Sequence, residues 1–182
     1  MNQQIVTFPI PKPGKISLVN APRAVVPSLM NMLAILALRG QVIVIDGGNC
    51  FDGYALARAL RAETHQVQIA LKQVLLSRAF TCYQMVAMLA ELPENGTPIV
   101  ILDMLSTFLD ENVHLAQRLR LLDSSLNLVR RISTQSPVAI WTRARSSPTG
   151  EDQQLLTPLL EMAHDIWELE TPTRPAHQLP LF

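Results

Sequence analysis

Thr97-Pro98-Ile99-Val100-Ile101-Leu102-Asp103 is the stretch that decides the fold. Its four central residues are all apolar, so neither alternating face of a strand built from them carries a polar group. A strand with one wet face alternates apolar and polar residues. One that is apolar throughout is covered on both faces, the habit of parallel sheets flanked by helices. QVIVID (41–46) repeats the pattern and also ends in an aspartate. Outward from these two, KISLVN (15–20), QVLLSRA (73–79), SPVAIWT (136–142) and residues 165–170 supply further short strands. Val67–Leu75 also has helical spacing. Helices are predicted over Pro27–Arg39, Tyr54–Glu63, Cys82–Leu92, Val113–Thr134 with a break near Asp123, and Leu155–His164. Gly40 ends the first of them, Pro93-Glu94-Asn95-Gly96 closes the third, and residues 143–152 read as a polar loop. Regular alternation of strand and helix predicts an α/β domain with a mainly parallel sheet.

The limits of that domain are drawn by composition. Residues 1–14, with Pro9, Pro11, Pro13 and Gly14, read as an extended lead-in, residues 15–170 as the domain, and 171–182 as a flexible tail rich in proline. The chain has 182 residues, 48% of them hydrophobic, with a mean hydropathy of +0.20, which excludes a largely disordered protein. The Lys+Arg and Asp+Glu totals are both 15, so bulk charge does not hold this chain to nucleic acid. Cys50 and Cys82 provide neither a disulfide framework nor a four-cysteine zinc site. His65, His114, His164 and His177 lack metal-ligand spacing. No serine sits in a GxSxG elbow. The N-terminus lacks the apolar run of a signal peptide, and no stretch is long and apolar enough for a membrane span. A cytoplasmic location without metal or cofactor is expected.

Several segments, in order, resemble the RecA/RadA recombinase core. KISLVNAPRAVVPSLMNMLA lies where that family has a strand, a phosphate loop and a helix. VIVIDGGNCFD resembles its next strand and acidic turn, QVLLSRAFTCYQMVAML its strand with the "RAF" signature, and IVILDMLSTFL its Walker B strand. PVAIWTRAR resembles the strand that delivers a polar sensor, and DIWELE the family's closing strand. The resemblance spans about residues 15–170 and implies a three-layer α/β/α domain.

The same alignment of motifs shows what is missing. A phosphate loop needs glycines, so that backbone N–H groups can curl around a phosphate, a lysine for its oxygens and Ser/Thr for Mg²⁺. The matching window is Ala21-Pro22-Arg23-Ala24-Val25-Val26-Pro27-Ser28. Ala21 and Val26 replace the glycines, Pro27 replaces the lysine, and both prolines remove a donor. Gly48 stands where the resemblance places a catalytic glutamate, and Thr142-Arg143-Ala144 where it places a sensor glutamine. Arg23, Ser28 and Asp103 remain as a degenerate nucleotide site. A pseudo-ATPase without catalytic residues is therefore expected, an atypical ATPase binding through those three residues being the alternative.

Two further groups bear on partners. Arg130, Arg131, Arg143 and Arg145 flank the strand 136–142 and are candidates for weak DNA contact, with Arg118 and Arg120 placed after the Walker B-like strand. Gln178-Leu179-Pro180-Leu181-Phe182 resembles the bacterial sliding-clamp-binding pentapeptide. In that reading the Gln178 amide meets a polar pocket, Leu179, Leu181 and Phe182 supply the apolar contacts, and Pro180 limits the entropy lost on docking. The expected function is a non-catalytic RecA-like accessory factor in DNA replication, repair or recombination. The clamp would recruit it, and a recombinase or translesion polymerase is a candidate second partner. A protein-interaction scaffold that never touches DNA is the remaining alternative.

Overall fold

A computed structural model describes residue 8 and residues 10–169. The order of elements is β1 (Ile16–Ala21), α1 (Val26–Arg39), β2 (Val42–Asp46), α2 (Gly53–Glu63), α3 (Val67–Leu71), β3 (Val74–Arg78), α4 (Cys82–Ala90), β4 (Ile99–Leu102), α5 (Leu115–Ser133), β5 (Val138–Arg143), α6 (Gly150–Met162) and β6 (Asp165–Glu168). Short 3-10 turns at Arg23–Val25 and Met104–Phe108 follow β1 and β4. All six strands run parallel in the order β3-β2-β4-β5-β1-β6. The domain is thus a three-layer α/β/α sandwich.

The apolar runs are explained by where successive side chains go. Val42 and Val44 enter a core against α1, α2 and α3, whereas Ile43 and Ile45 enter a second core against α4, α5 and α6. In β4, Val100 and Leu102 face the first core and Ile99 and Ile101 the second. Every position is consumed, so none can be polar. Gly40, at φ +147°, ends α1 in a conformation that suits glycine.

Several boundaries differ from expectation. Val67–Leu75 is split, its first residues forming α3 and its last entering β3. α5 runs unbroken through Asp123. α6 begins at Gly150 instead of Leu155, because Thr149 and Asp152 form a reciprocal capping box that pulls the last three residues of the polar loop into helix. The lead-in is anchored as well: Phe8 is buried in the first core, and Gly14 N–H donates to Ser133 O at 2.9 Å. β3 is an edge strand with Leu75 and Leu76 exposed, flanked by exposed Ile69, Phe80 and Tyr83. Among the described residues no helix is long and apolar enough to cross a membrane.

Parallel strands bring all their carboxyl ends to one edge. α1 carries the chain from β1 over β5 and β4 to β2 on one face, while α6 leaves β5 on the other. β1 and β5 are neighbours whose chains depart to opposite sides. That divergence opens a crevice outside their carboxyl ends, the place where such sheets bind ligands.

Candidate functional site

Asp46 ends β2 and Asp103 follows β4, so the parallel sheet delivers both carboxylates to this edge. Both are buried, and both are already occupied. Asp46 caps its own turn, accepting from Cys50 N–H at 3.0 Å, Phe51 N–H at 3.0 Å and the Cys50 thiol at 3.4 Å, with Arg78 Nε 3.6 Å away. Burial first, and the Asp46 charge second, push the Cys50 thiol far up and keep it a protonated, unreactive donor.

Asp103 has φ +49°, a left-handed conformation that aspartate tolerates better than most residues. That turn swings the chain from β4 into Met104–Phe108 and aims the Asp103 carboxylate at β5. Arg143 answers with two groups: its N–H donates to Oδ1 at 3.2 Å, and Nη2 lies 2.9 Å from Oδ2. Burial raises the Asp103 carboxyl above its ordinary value, against the pull of the Arg143 guanidinium and N–H. Gly47 and Gly48 pass directly over this aspartate. A Cβ on Gly48 would lie 2.5 Å from Asp103 Cβ, and one on Gly47 would lie 2.9 Å from Asp103 O. The GGN turn is therefore shaped by close approach, and Gly48 has no room for the glutamate that the RecA resemblance would place there.

Beside Arg143 lies a cleft of about 160 Å³. Leu105 and Leu109 form one wall, Leu155 and Leu156 on α6 the other, and Asn20, Thr142, Arg143 and Arg145 its polar end. The walls are fixed to each other through buried Arg118 on α5, whose Nη1 donates to Phe108 O at 3.3 Å and whose Nη2 lies 2.7 Å from Glu151 Oε2. Arg145 is held by Asp152 at 3.1 Å.

The residues singled out in the sequence are thus separated. Arg143 and Arg145 stand at the carboxyl end of β5, but Arg130 and Arg131 precede its amino end, roughly 20 Å away for a strand of six residues. Arg131 pairs with Glu94 at 2.8 Å and Arg130 Nη1 donates to Asn127 Oδ1 at 2.8 Å. The four do not form one surface. Arg118 is buried and structural, so it is withdrawn as a DNA contact, whereas Arg120 is exposed. Asp103 lines the cleft; Arg23, exposed, and Ser28, buried in the first turn of α1, do not. α1 starts without a side-chain cap and with proline in its first turn. Gln178, Leu179, Leu181 and Phe182 lie outside the described residues. Sequence reading missed the cleft itself, although the Thr149-x-x-Asp152 spacing before Leu155 and Leu156 carried the signal for its α6 wall. No protein-family model matches the chain, and no curated protein matches it.

Proposed function

We propose that this chain is a RecA-like accessory factor that hydrolyses no nucleotide, acts in DNA replication, repair or recombination, and is recruited to the bacterial sliding clamp by Gln178-Leu179-Pro180-Leu181-Phe182. The observation that carries the non-catalytic half is the closure of Asp103. Its carboxylate is tied to Arg143 on one side and roofed by Gly47 and Gly48 on the other. Phosphoryl transfer depends on positioned charges, and here the surviving carboxylate is spent on a protein cation. The loop 21–28 adds no amide cradle, with Pro22 and Pro27 both lacking N–H. The recruitment half rests on the tail sequence alone, and in this reading the protein works at the nucleoid, with a recombinase or translesion polymerase as the further partner.

DNA contact by Arg143 and Arg145 is weak in this reading, because each guanidinium must leave a carboxylate to reach a phosphate. Titrating the full chain with labelled ATP and Mg²⁺, and separately with the sliding clamp, tests both halves. Expected are no saturable ATP binding in the micromolar range and a measurable clamp complex. ATP binding abolished by Asp103→Ala would overturn the non-catalytic half, and absence of a clamp complex at ~100 μM would overturn recruitment.

A further inference from the structure

The cleft beside Arg143 is apolar where it can be reached. Leu109, Leu156, Pro148 and Ala144 keep part of their surface open along it, and buried Leu105 and Leu155 back them. Its charged residues are already matched, Arg143 with Asp103 and Arg145 with Asp152. A charged guest would have to displace one of those partners, whereas an apolar one leaves both in place. The volume, about 160 Å³, is close to that of engineered cavities of roughly 150 Å³ that take one benzene-sized ring. One large apolar side chain fits the site.

The chain itself brings such side chains to this place. β6 hands over to residues 170–182 at the cleft, where Leu169 N–H donates to O of Asn20, a lining residue, at 3.0 Å. Between positions 170 and 178 the sequence has no Leu, Ile, Val, Met or Phe; Leu179, Leu181 and Phe182 then come close together. Those nine intervening residues, when extended, span up to about 30 Å. The cleft opens beside β5, two strands across the sheet from β6, a separation of roughly 10 Å. An apolar cluster tethered within such reach of an open apolar cleft meets it far more often than a free peptide would.

We infer that the cleft takes the Phe182 ring of this chain, with Leu181 at its rim, and so withholds from the sliding clamp two of the side chains that would bind it. The docking needs no clamp; only its regulatory consequence rests on the recruitment proposed above. Because Arg118 fastens Phe108 to Glu151, the two walls are preformed, and the entropy of ordering falls on the tail alone. A contact of one ring and a rim adds little to the stability of the domain. It opens readily, and the clamp captures the tail by binding the same residues more tightly.

The test uses the full chain, isotopically labelled at its leucine methyl groups and observed by NMR without clamp. Leu181→Ala with Phe182→Ala should shift the Leu109 and Leu156 methyl resonances, because a docked ring alters the field around them. A peptide of residues 173–182, added to that variant, should reverse the shift and saturate with Kd at or below about 1 mM. Resonances of the parent that hold on tenfold dilution identify a contact within one chain. Resonances that revert on dilution assign the site to the tail of a second copy and overturn the inference. Leu156→Trp, which fills the cleft, should abolish the peptide's effect on Leu109. It should also tighten clamp binding about twofold or more, since docking for half of the time halves the competent fraction. Thermal melts establish that the variant is folded, and Ser106→Trp replaces it if it is not. Resonances unmoved by the double replacement, with no peptide binding, overturn the docking. Unchanged clamp affinity in the folded, cleft-filled chain overturns the withholding. Resonances that move as expected while no form binds the clamp support the docking and remove recruitment alone.

Discussion

A single methyl group on Gly48 would collide with the Cβ of Asp103, and neither atom can move without its backbone. Overpacking of this kind costs about 1–3 kcal/mol, so Gly48→Ala should lower the urea midpoint clearly. Gly48→Glu, the change that restores the carboxylate of the recombinase pattern, should unfold the domain or leave it without ATPase activity. Denaturation curves and a phosphate-release assay check the pair; hydrolysis by folded Gly48→Glu would show that the turn can be rebuilt. From the sequence, Asp103 stands out as a retained carboxylate and Gly48 as a position where one is missing. What they do is not legible there, because burial and the αL turn at Asp103 depend on strands far apart in the chain. Arg143 illustrates the same limit: the identity of its partner, forty residues upstream, is a property of β4 and β5 lying side by side.

At the scale of elements, the six strands were legible from apolar runs, and their order from right-handed crossovers would have been one arrangement among several. The α6 start was not read, since Thr149-Gly150-Glu151-Asp152 looks polar and loop-like until its reciprocal hydrogen bonds are drawn. Burial raises the Asp152 carboxyl, but the Thr149 N–H and hydroxyl and Arg145 outweigh it and hold the group below its ordinary value. A carboxyl depressed by folding stabilises above its unfolded pKa, and that contribution is lost as pH falls through the folded one. Asp152→Asn should therefore flatten the loss of stability between about pH 5 and pH 3, as read by melting temperature across that window. An unchanged slope would mean that the capping pair titrates as in the unfolded chain. Arg118 joins two elements rather than capping one. Arg118→Leu leaves Phe108 O unpaired and frees Glu151, at a cost of about 1–3 kcal/mol. Amide hydrogen exchange should rise first in Met104–Phe108 and in the first turn of α6; exchange confined to α5 would contradict the bridging of these two segments by Arg118.

For the whole molecule, the proposed recruitment makes a prediction that separates the tail from the domain. Truncating a large anchor at an interface centre costs roughly 2 kcal/mol or more, so Leu181→Ala with Phe182→Ala should weaken clamp binding by well over tenfold. The melting temperature should stay within a degree or two of the parent. A sharp fall would place those side chains in the domain's own core and remove the basis for recruitment. The route to that tail begins at a definite place. Leu169 N–H donates to Asn20 O at 3.0 Å, so the last described strand hands the chain over at the cleft rim. Residues 170–182 follow, and an extended chain of that length reaches at most about 45 Å. In the proposed reading, a partner held by Gln178–Phe182 would lie within that distance of the carboxyl edge. If the proposed recruitment holds, linkage over so short a distance would raise the local concentration of the partner at this edge to the order of 1 mM, so that even a contact too feeble to register between separate molecules would be populated there.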